Sequence, residues 1–518
     1  MIGVRAWRRV SALSLAVVVL SGGAAVAAEP VPDAAAIRAK VDAATGPASK
    51  NYRETDEIVQ SNGTTTIERD FVRGDDHRFT YDAGPFHSED GIFKGDAWHM
   101  NDNGQVVMDE ADPGDAIPDR TTTTVAAIHT PVEGYVISRL NVRGYGSKDY
   151  VDGATWHVVR RERVTPNGTN VTTFDDIRED HGRTFAHHIR VVSASARVTS
   201  DLHVTDYQPG EVAESDVAIP TPRRALVTFP AAARAVDLPV KFGDDHVYVR
   251  VKVGDRGLDF VLDSGAGEIT IDNGVAHQLG LPEFEKQSTV TAGRYTTYRT
   301  IVPEMHIGDL VLRNVAVQVV PQGWESSNGV KAVGLLGFDF FAELGLTIDY
   351  EHQRVTAVPG GVFAPPTGPQ VIPLDVRIGN GSPYASVRLN GALGERWVVD
   401  TGGAGTFMIF DYFARRHPEA LRDNGGGGAL RDRTFVGIGG DIAARPYQIA
   451  SLKLANINFV DFVGYRVTDS GAYAENADGL IGTDFLRLFT LGFDYGNSRL
   501  YLVPNALGRK ALGIKDAS

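Results

Sequence analysis

The chain repeats itself, and the repeat limits its fold more than any other feature. Residues Gly334–Pro359 read GLLGFDFFAELGLTIDYEHQRVTAVP and Gly479–Pro504 read GLIGTDFLRLFTLGFDYGNSRLYLVP, identical at 11 of 26 positions without a gap. Shared positions include Asp339 and Asp484, the pairs Asp349-Tyr350 and Asp494-Tyr495, and the closing Val-Pro. Upstream, each copy carries an apolar run that ends in an acid: Phe260-Val261-Leu262-Asp263-Ser264-Gly265 and Trp397-Val398-Val399-Asp400-Thr401-Gly402. The acid stands 74 residues before Gly337 in the first copy and 82 before Gly482 in the second. Two units of similar size, fused in tandem, explain this spacing.

Asp-Ser/Thr-Gly alone is a weak signal, and Asp469-Ser470-Gly471 is a third match. Polar Arg466 and Thr468 precede that one, and it has no counterpart in the other copy, so it reads as a loop. At the two equivalent places each residue type has a reason. An apolar strand delivers a carboxylate to the floor of a dry cleft. The adjacent hydroxyl of Ser264 or Thr401 can bond across to the partner loop, while Gly265 and Gly402 let the backbones approach. Packed about a twofold axis, Asp263 and Asp400 meet, share one proton and titrate as a pair. One then serves as general base on a water and the other as general acid on an amide carbonyl. Burial favours an acidic working range, and hydrogen bonds to the monoanion widen it towards neutral.

These paired loops and the two later Gly-Leu-Leu/Ile-Gly-x-Asp-Phe segments make residues 223–518 resemble a tandem, retropepsin-like bacterial aspartic protease. The resemblance implies a mostly β chain with two retropepsin/pepsin-like lobes, 223–365 and 366–518, related by a pseudo-twofold duplication. It implies that Asp263 and Asp400 are catalytic and that the Gly-rich segments pack beneath their loops and lead into a short helix. It also implies a hairpin flap over the cleft in each lobe, at about Val290–Ile301 with Gly293 and Tyr295, and at about Thr434–Arg445 with Gly437, Gly439 and Gly440. The second loop departs from the pattern at Gly403, where Ala is commoner, and this should only loosen it. An insertion with Gly425–Gly428 enlarges the second lobe.

Residues 1–28 read as a cleaved secretory signal: Arg5, Arg8 and Arg9, the apolar run Val10–Leu20, then Ala25-Val26-Ala27. The run is too short to span a bilayer, and no other segment could. Removing those arginines deepens the net charge of −14 to −17, which offers nothing to nucleic acid. Cysteine is absent, so disulfides and thiolate chemistry are excluded. The expected location is the periplasm or beyond the cell.

Residues 29–222 have another texture. A helix-compatible stretch, Asp33–Ala44, precedes alternating runs such as Thr64–Phe71, Arg78–Tyr81 and Thr155–Val164. Ser61-Asn62-Gly63, Gly74-Asp75-Asp76, Asp102-Asn103-Gly104 and Pro166-Asn167-Gly168 separate them as turns, so an antiparallel meander is expected. One helix followed by many antiparallel strands resembles the periplasmic lipoprotein-carrier fold, a half-barrel around a helix; a plain β accessory domain fits as well. Pro209-Gly210, Pro220, Pro222 and Pro230 then mark a linker without regular elements.

Other chemistry lacks its residues. Of 14 His, the adjacent His187-His188 would point to opposite faces of a strand and cannot chelate together. There is no His-Glu-x-x-His, Gly-x-Ser-x-Gly elbow or phosphate loop, so no metal or cofactor is expected. Asp339 and Asp484 read as helix N-caps, and Asp349 and Asp494 as structural. The reading is an exported aspartic endopeptidase acting on a peptide or protein substrate. A monomer suffices, because one chain holds both acids. The alternative is a non-catalytic periplasmic binding protein that holds a peptide in the lobes and an apolar ligand in the N-terminal domain.

Overall fold

The computed structural model describes residues 31–514 apart from 110–120, 142–143, 166–167, 194–198, 224, 244–245, 291–293, 323, 326–328, 380, 406, 422–431, 438–439 and 468–476. The leader, the third Asp-Ser-Gly and the Gly425–Gly428 insertion lie outside the described residues.

Residues 51–209 form one 13-stranded antiparallel sheet. The chain runs outward through six strands, crosses to the far edge and returns, closing the order where Asn51–Gln60 pairs with Thr199–Pro209. Helix Ala34–Thr45 precedes it, capped by Asp33, whose side chain accepts from the Ala36 amide. Its Ile37 is buried with Ile137 and Val151 of the sheet. The runs expected from alternation become strands Thr65–Arg73, Asp76–Ala83 and Val158–Thr165. The last begins later than alternation suggests. Asp152 gathers the amides of Ala154 and Thr155 into a turn, and Trp156 turns the chain at φ 60°. The linker also holds a regular element, a one-turn helix Glu214–Val217 with Asp216 paired to Arg53.

Beyond it lie a 10-stranded and a second 13-stranded sheet. In each repeat the acid-bearing strand runs parallel to the strand of the Gly-Leu segment: Arg256–Leu262 beside Lys331–Leu336, and Ala392–Val399 beside Gly479–Ile481. The repeats meet where Leu344–Asp349 pairs with Phe489–Asp494. There Thr347 faces Gly492, its own counterpart in the repeat, while Gly345–Asp494 maps onto Asp349–Thr490. A local twofold axis therefore passes through the Thr347–Gly492 pair. Phe341 stacks on Tyr495 and meets Phe493 edge-on in the core.

The N-terminal sheet docks on the first of these units through the turn between Asp96–Met100 and Val106–Asp109. Asn103 exchanges two hydrogen bonds with the Ala316 backbone (3.1 and 2.9 Å). Gln105 Nε2 donates to the Asp339 carbonyl (2.8 Å), and Asp102 pairs with Arg299. Nearby, Phe86 packs edge-on against Phe284 and Asn62 donates to the Lys286 carbonyl.

Candidate active site

Strands Arg256–Leu262 and Ala392–Val399 end in fully buried Leu262 and Val399, which carries Asp263 and Asp400 to the start of tight loops. The loops are cross-braced. Ser264 N donates to Thr401 Oγ1 (3.0 Å) and Thr401 N to Ser264 Oγ (3.1 Å). Each hydroxyl then donates onward, Ser264 to the Val399 carbonyl and Thr401 to the Leu262 carbonyl, both at 2.7 Å. Both side chains are 0% exposed, so every bond is made away from water. Ser264→Ala would leave the Val399 carbonyl and the Thr401 amide unpaired. We expect it to cost about 1–3 kcal/mol per orphaned group, read as a lower denaturant midpoint; an unchanged midpoint would count against this bracing.

Bracing brings the acids together. Asp263 Oδ1 accepts from the amides of Gly265 (2.9 Å) and Ala266 (3.1 Å), and Asp400 Oδ1 from Gly402 (2.7 Å). The carboxyl groups are hydrogen-bonded to each other. A Cβ on Gly265 would lie 2.5 Å from Asp400 Cγ, and one on Gly402 would lie 2.2 Å from Asp263 Cγ. Only glycine fits at either place.

Burial, then the charge of Asp400, pushes Asp263 well above the usual carboxylate range. Burial also raises Asp400, but the hydrogen bond from Asp263, the Gly402 amide and the nearby His246 oppose it. Both acids are thus raised and coupled, so the pair shares one proton and titrates as a unit.

The Gly-Leu segments lie beneath these loops. Cβ atoms at Gly337 and Gly482 would meet the carbonyls of Glu268 (2.3 Å) and Gly405 (2.5 Å). One-turn helices Phe338–Phe341 and Thr483–Leu486 follow, as expected. Asp339 and Asp484, however, are not their N-caps. That position belongs to Gly337 and Gly482, and neither makes a side-chain cap. Asp339 instead accepts from the Ile269 amide and from Asn101 of the N-terminal sheet, both at 2.8 Å, while Asp484 pairs with Arg487. Gly403 does more than loosen its loop, since a Cβ there would press on Asp400 Oδ2 at 2.7 Å.

Hairpins occupy both flap positions. Phe284–Val290 pairs with Arg294–Ile307, placing partly buried Tyr295 opposite Thr289. Gly293 lies outside the described residues. Arg433–Gly437 pairs with Gly440–Leu454, with Gly437 opposite Gly440 and Gly439 outside the described residues. Phe435 of this hairpin lies against Gly405 in the second acid loop.

Sequence reasoning missed His246, whose Nε2 donates to the Gly402 carbonyl at 2.9 Å. It also missed Tyr350, which neighbours Asp400 with its buried hydroxyl unpartnered among the described residues, and Tyr495, whose hydroxyl donates to the Ser264 carbonyl at 3.5 Å. The repeated Asp-Tyr pair was a signal for the tyrosines; His246 had none. His187 and His188 do part company: His187 bonds Asp180 on one face and His188 bonds Asp201 on the other. Among the described residues no group of three His, Asp or Glu could hold a metal.

Fold and site thus describe a two-lobed, aspartic-protease-like unit behind an antiparallel β domain. Residues 249–340 match the family described as "Aspartyl protease". Among solved structures, the chain is similar to an aspartic proteinase from Irpex lacteus (14% identity, 54% of this chain and 99% of that one, TM-score 0.33). A retropepsin-like aspartic protease from Rickettsia conorii matches at 18% identity over 24% of this chain and 87% of that one, TM-score 0.17. A LolA superfamily protein from Nitrosomonas europaea matches at 12% identity over 36% of this chain and 97% of that one, TM-score 0.29. No curated protein matches the chain.

Proposed function

We propose that the chain is an exported aspartic endopeptidase. The observation that carries this reading is a pair of mutually hydrogen-bonded, partly buried carboxyl groups on cross-braced loops. In this mechanism ionised Asp400 takes a proton from water as the water oxygen attacks the scissile carbonyl carbon. Asp263 gives its proton to the carbonyl oxygen, forming a gem-diol. Collapse breaks the C–N bond, with the amine taking the proton from Asp400 and Asp263 recovering its own from a diol hydroxyl. Each transfer contributes about 10²–10⁴-fold when its partner is in place. His246 holds the Gly402 carbonyl and favours charge on Asp400, which supports Asp400 in the role of base.

The test is cleavage of a mixed peptide library between pH 3 and 8, with wild type beside Asp263→Asn and Asp400→Asn. Cleavage that both substitutions and a statine-type inhibitor stop is the expected result. Cleavage that survives either substitution refutes the dyad. No cleavage by the intact chain or by residues 223–518 would leave a pair of lobes that hold peptide without cutting it.

A further inference from the structure

The face of the N-terminal sheet that carries the helix is acidic where it leaves the helix behind. Opposed residues share a face, as do residues two apart. The register sets Asp56 opposite Glu68, Glu68 opposite Tyr81 and Tyr81 opposite Ser88. The next row is Glu54, Asp70, Phe79 and Asp90. Followed the other way, the same face runs through Val204, Leu202, Ile189 and Phe174 to Ile137 and Val151, which pack on the helix.

Little offsets these charges. Asp56 is 4% exposed, and its Oδ1 and that of Asp70 have no hydrogen-bond partner among the described residues. Asp70 bonds to Glu68, and Asp90 to Tyr81. Burial first, then neighbouring acids, pushes Asp56 up to about 7 and Asp70 up to about 8 and raises Glu68, while burial raises Glu54 against the opposing charges of Arg183 and His187. The facing cationic groups lie at the margins: Arg183 and His187 beside Glu54, His77 stacked on Phe79, and His99 opposite Asp90. Glu54, Glu68, Asp70, Tyr52 and Tyr81 remain partly exposed. One end opens into a space of about 220 Å³ between Thr66, Tyr81 and Ser88 and the first lobe's Glu285 and Arg299.

We propose that this trough binds an extended basic peptide segment, its lysine or arginine side chains seated on Asp56, Glu68, Glu54 and Asp70. A buried carboxylate without a partner is costly unless a cation meets it. The two acid rows are two residues apart along their strands, about 7 Å, which is also the spacing of same-side residues in an extended peptide. The rings of Tyr52 and Tyr81 border the rows and add cation–π attraction. An acyl chain would meet carboxyl groups in place of apolar walls. The trough ends at the strands that form the first lobe's hairpin, so a bound segment would lie beside that lobe.

The test uses the intact chain and a fluorescein-labelled Ser-Lys-Ser-Lys-Ser-Lys peptide, with anisotropy read at low salt and peptide integrity checked by mass spectrometry. Binding is expected at pH 8.5 and weaker at pH 6, because a cation favours the ionised acids. The Asp56→Asn/Asp70→Asn and Glu54→Gln/Glu68→Gln pairs should each weaken it at least tenfold, and the Ser-Glu counterpart should not bind. Undiminished binding in both double variants overturns the proposal. So does saturable binding of spermidine or of a fluorescent fatty acid that the lysine peptide cannot displace. Binding is read apart from cleavage, so failure of the library cleavage test would refute the peptidase and leave the trough standing.

Discussion

Gly402→Ala should abolish peptide cleavage while leaving the chain folded. The added Cβ would lie 2.2 Å from Asp263 Cγ and 2.4 and 2.6 Å from its oxygens, well inside any contact that real Cβ atoms make. Neither side can yield cheaply. Asp263 is held by the Gly265 and Ala266 amides, and the Gly402 loop by Thr401, the Asp400 carboxylate and His246. Relief to ordinary contact needs a displacement of more than about 1 Å at the reacting groups, which alone costs on the order of 10²-fold in rate. Gly265→Ala should behave alike, its Cβ falling 2.5 Å from Asp400 Cγ. The strain, about 1–3 kcal/mol for an overpacked site, is too small to unfold the lobes. The measurement is kcat/KM on a peptide found in the library, with circular dichroism as the check on folding. Gly496→Ala is the control, because its Cβ would meet nothing within 4 Å. Full activity in Gly402→Ala would mean that the carboxyl groups do not work in the arrangement seen.

The acid loops were legible because their causes are local or repeated. An apolar strand, an acid, a small hydroxyl and a glycine each do in the structure what their chemistry suggests, and the duplication picks out the two equivalent loops. Roles set by distant segments were not legible. Asp339 and Asp484 occupy equivalent places in the repeat, yet one bonds Asn101 of the N-terminal sheet and the other bonds Arg487 of its own helix. The difference arises because that sheet docks on the first lobe, and nothing near either acid announces it. His246 is a similar case, since its partner carbonyl is 156 residues away. The acidic trough lay between these extremes. Glu54 and Asp56, like Glu68 and Asp70, alternate with period two, but only the register shows that the two pairs meet on the helix side.

Acidification from pH 8.5 to 5.5 should stabilise the chain, against the usual direction of acid denaturation. Glu268 is pushed up to about 8 and Asp339 up to about 6, first by burial, and Glu268 also by the charges of Asp339 and Asp102. Asp70 at about 8 and Asp56 at about 7 join them from the trough. All four titrate near 4 when unfolded. Between those limits the folded chain binds protons that the unfolded chain does not, so stability falls as pH rises and its contribution is complete below about pH 4. Each pKa unit is worth about 1.4 kcal/mol, and each kcal/mol moves the melting temperature of a domain this size by about 2–4 °C. Calorimetry at pH 5.5, 7 and 8.5 at fixed ionic strength should therefore show a falling midpoint. The net charge of −14 works in the same direction, so the profile alone does not identify the groups. Glu268→Gln separates the causes. It changes the net charge by one unit but removes a partly buried, strongly desolvated carboxyl at the docking surface, where Asp102, Asp339 and Arg299 converge. If burial sets the slope, that single substitution flattens it measurably above pH 7, while an exposed substitution such as Glu133→Gln leaves it unchanged. Equal effects from the two would assign the slope to net charge and free the interface from any part in it.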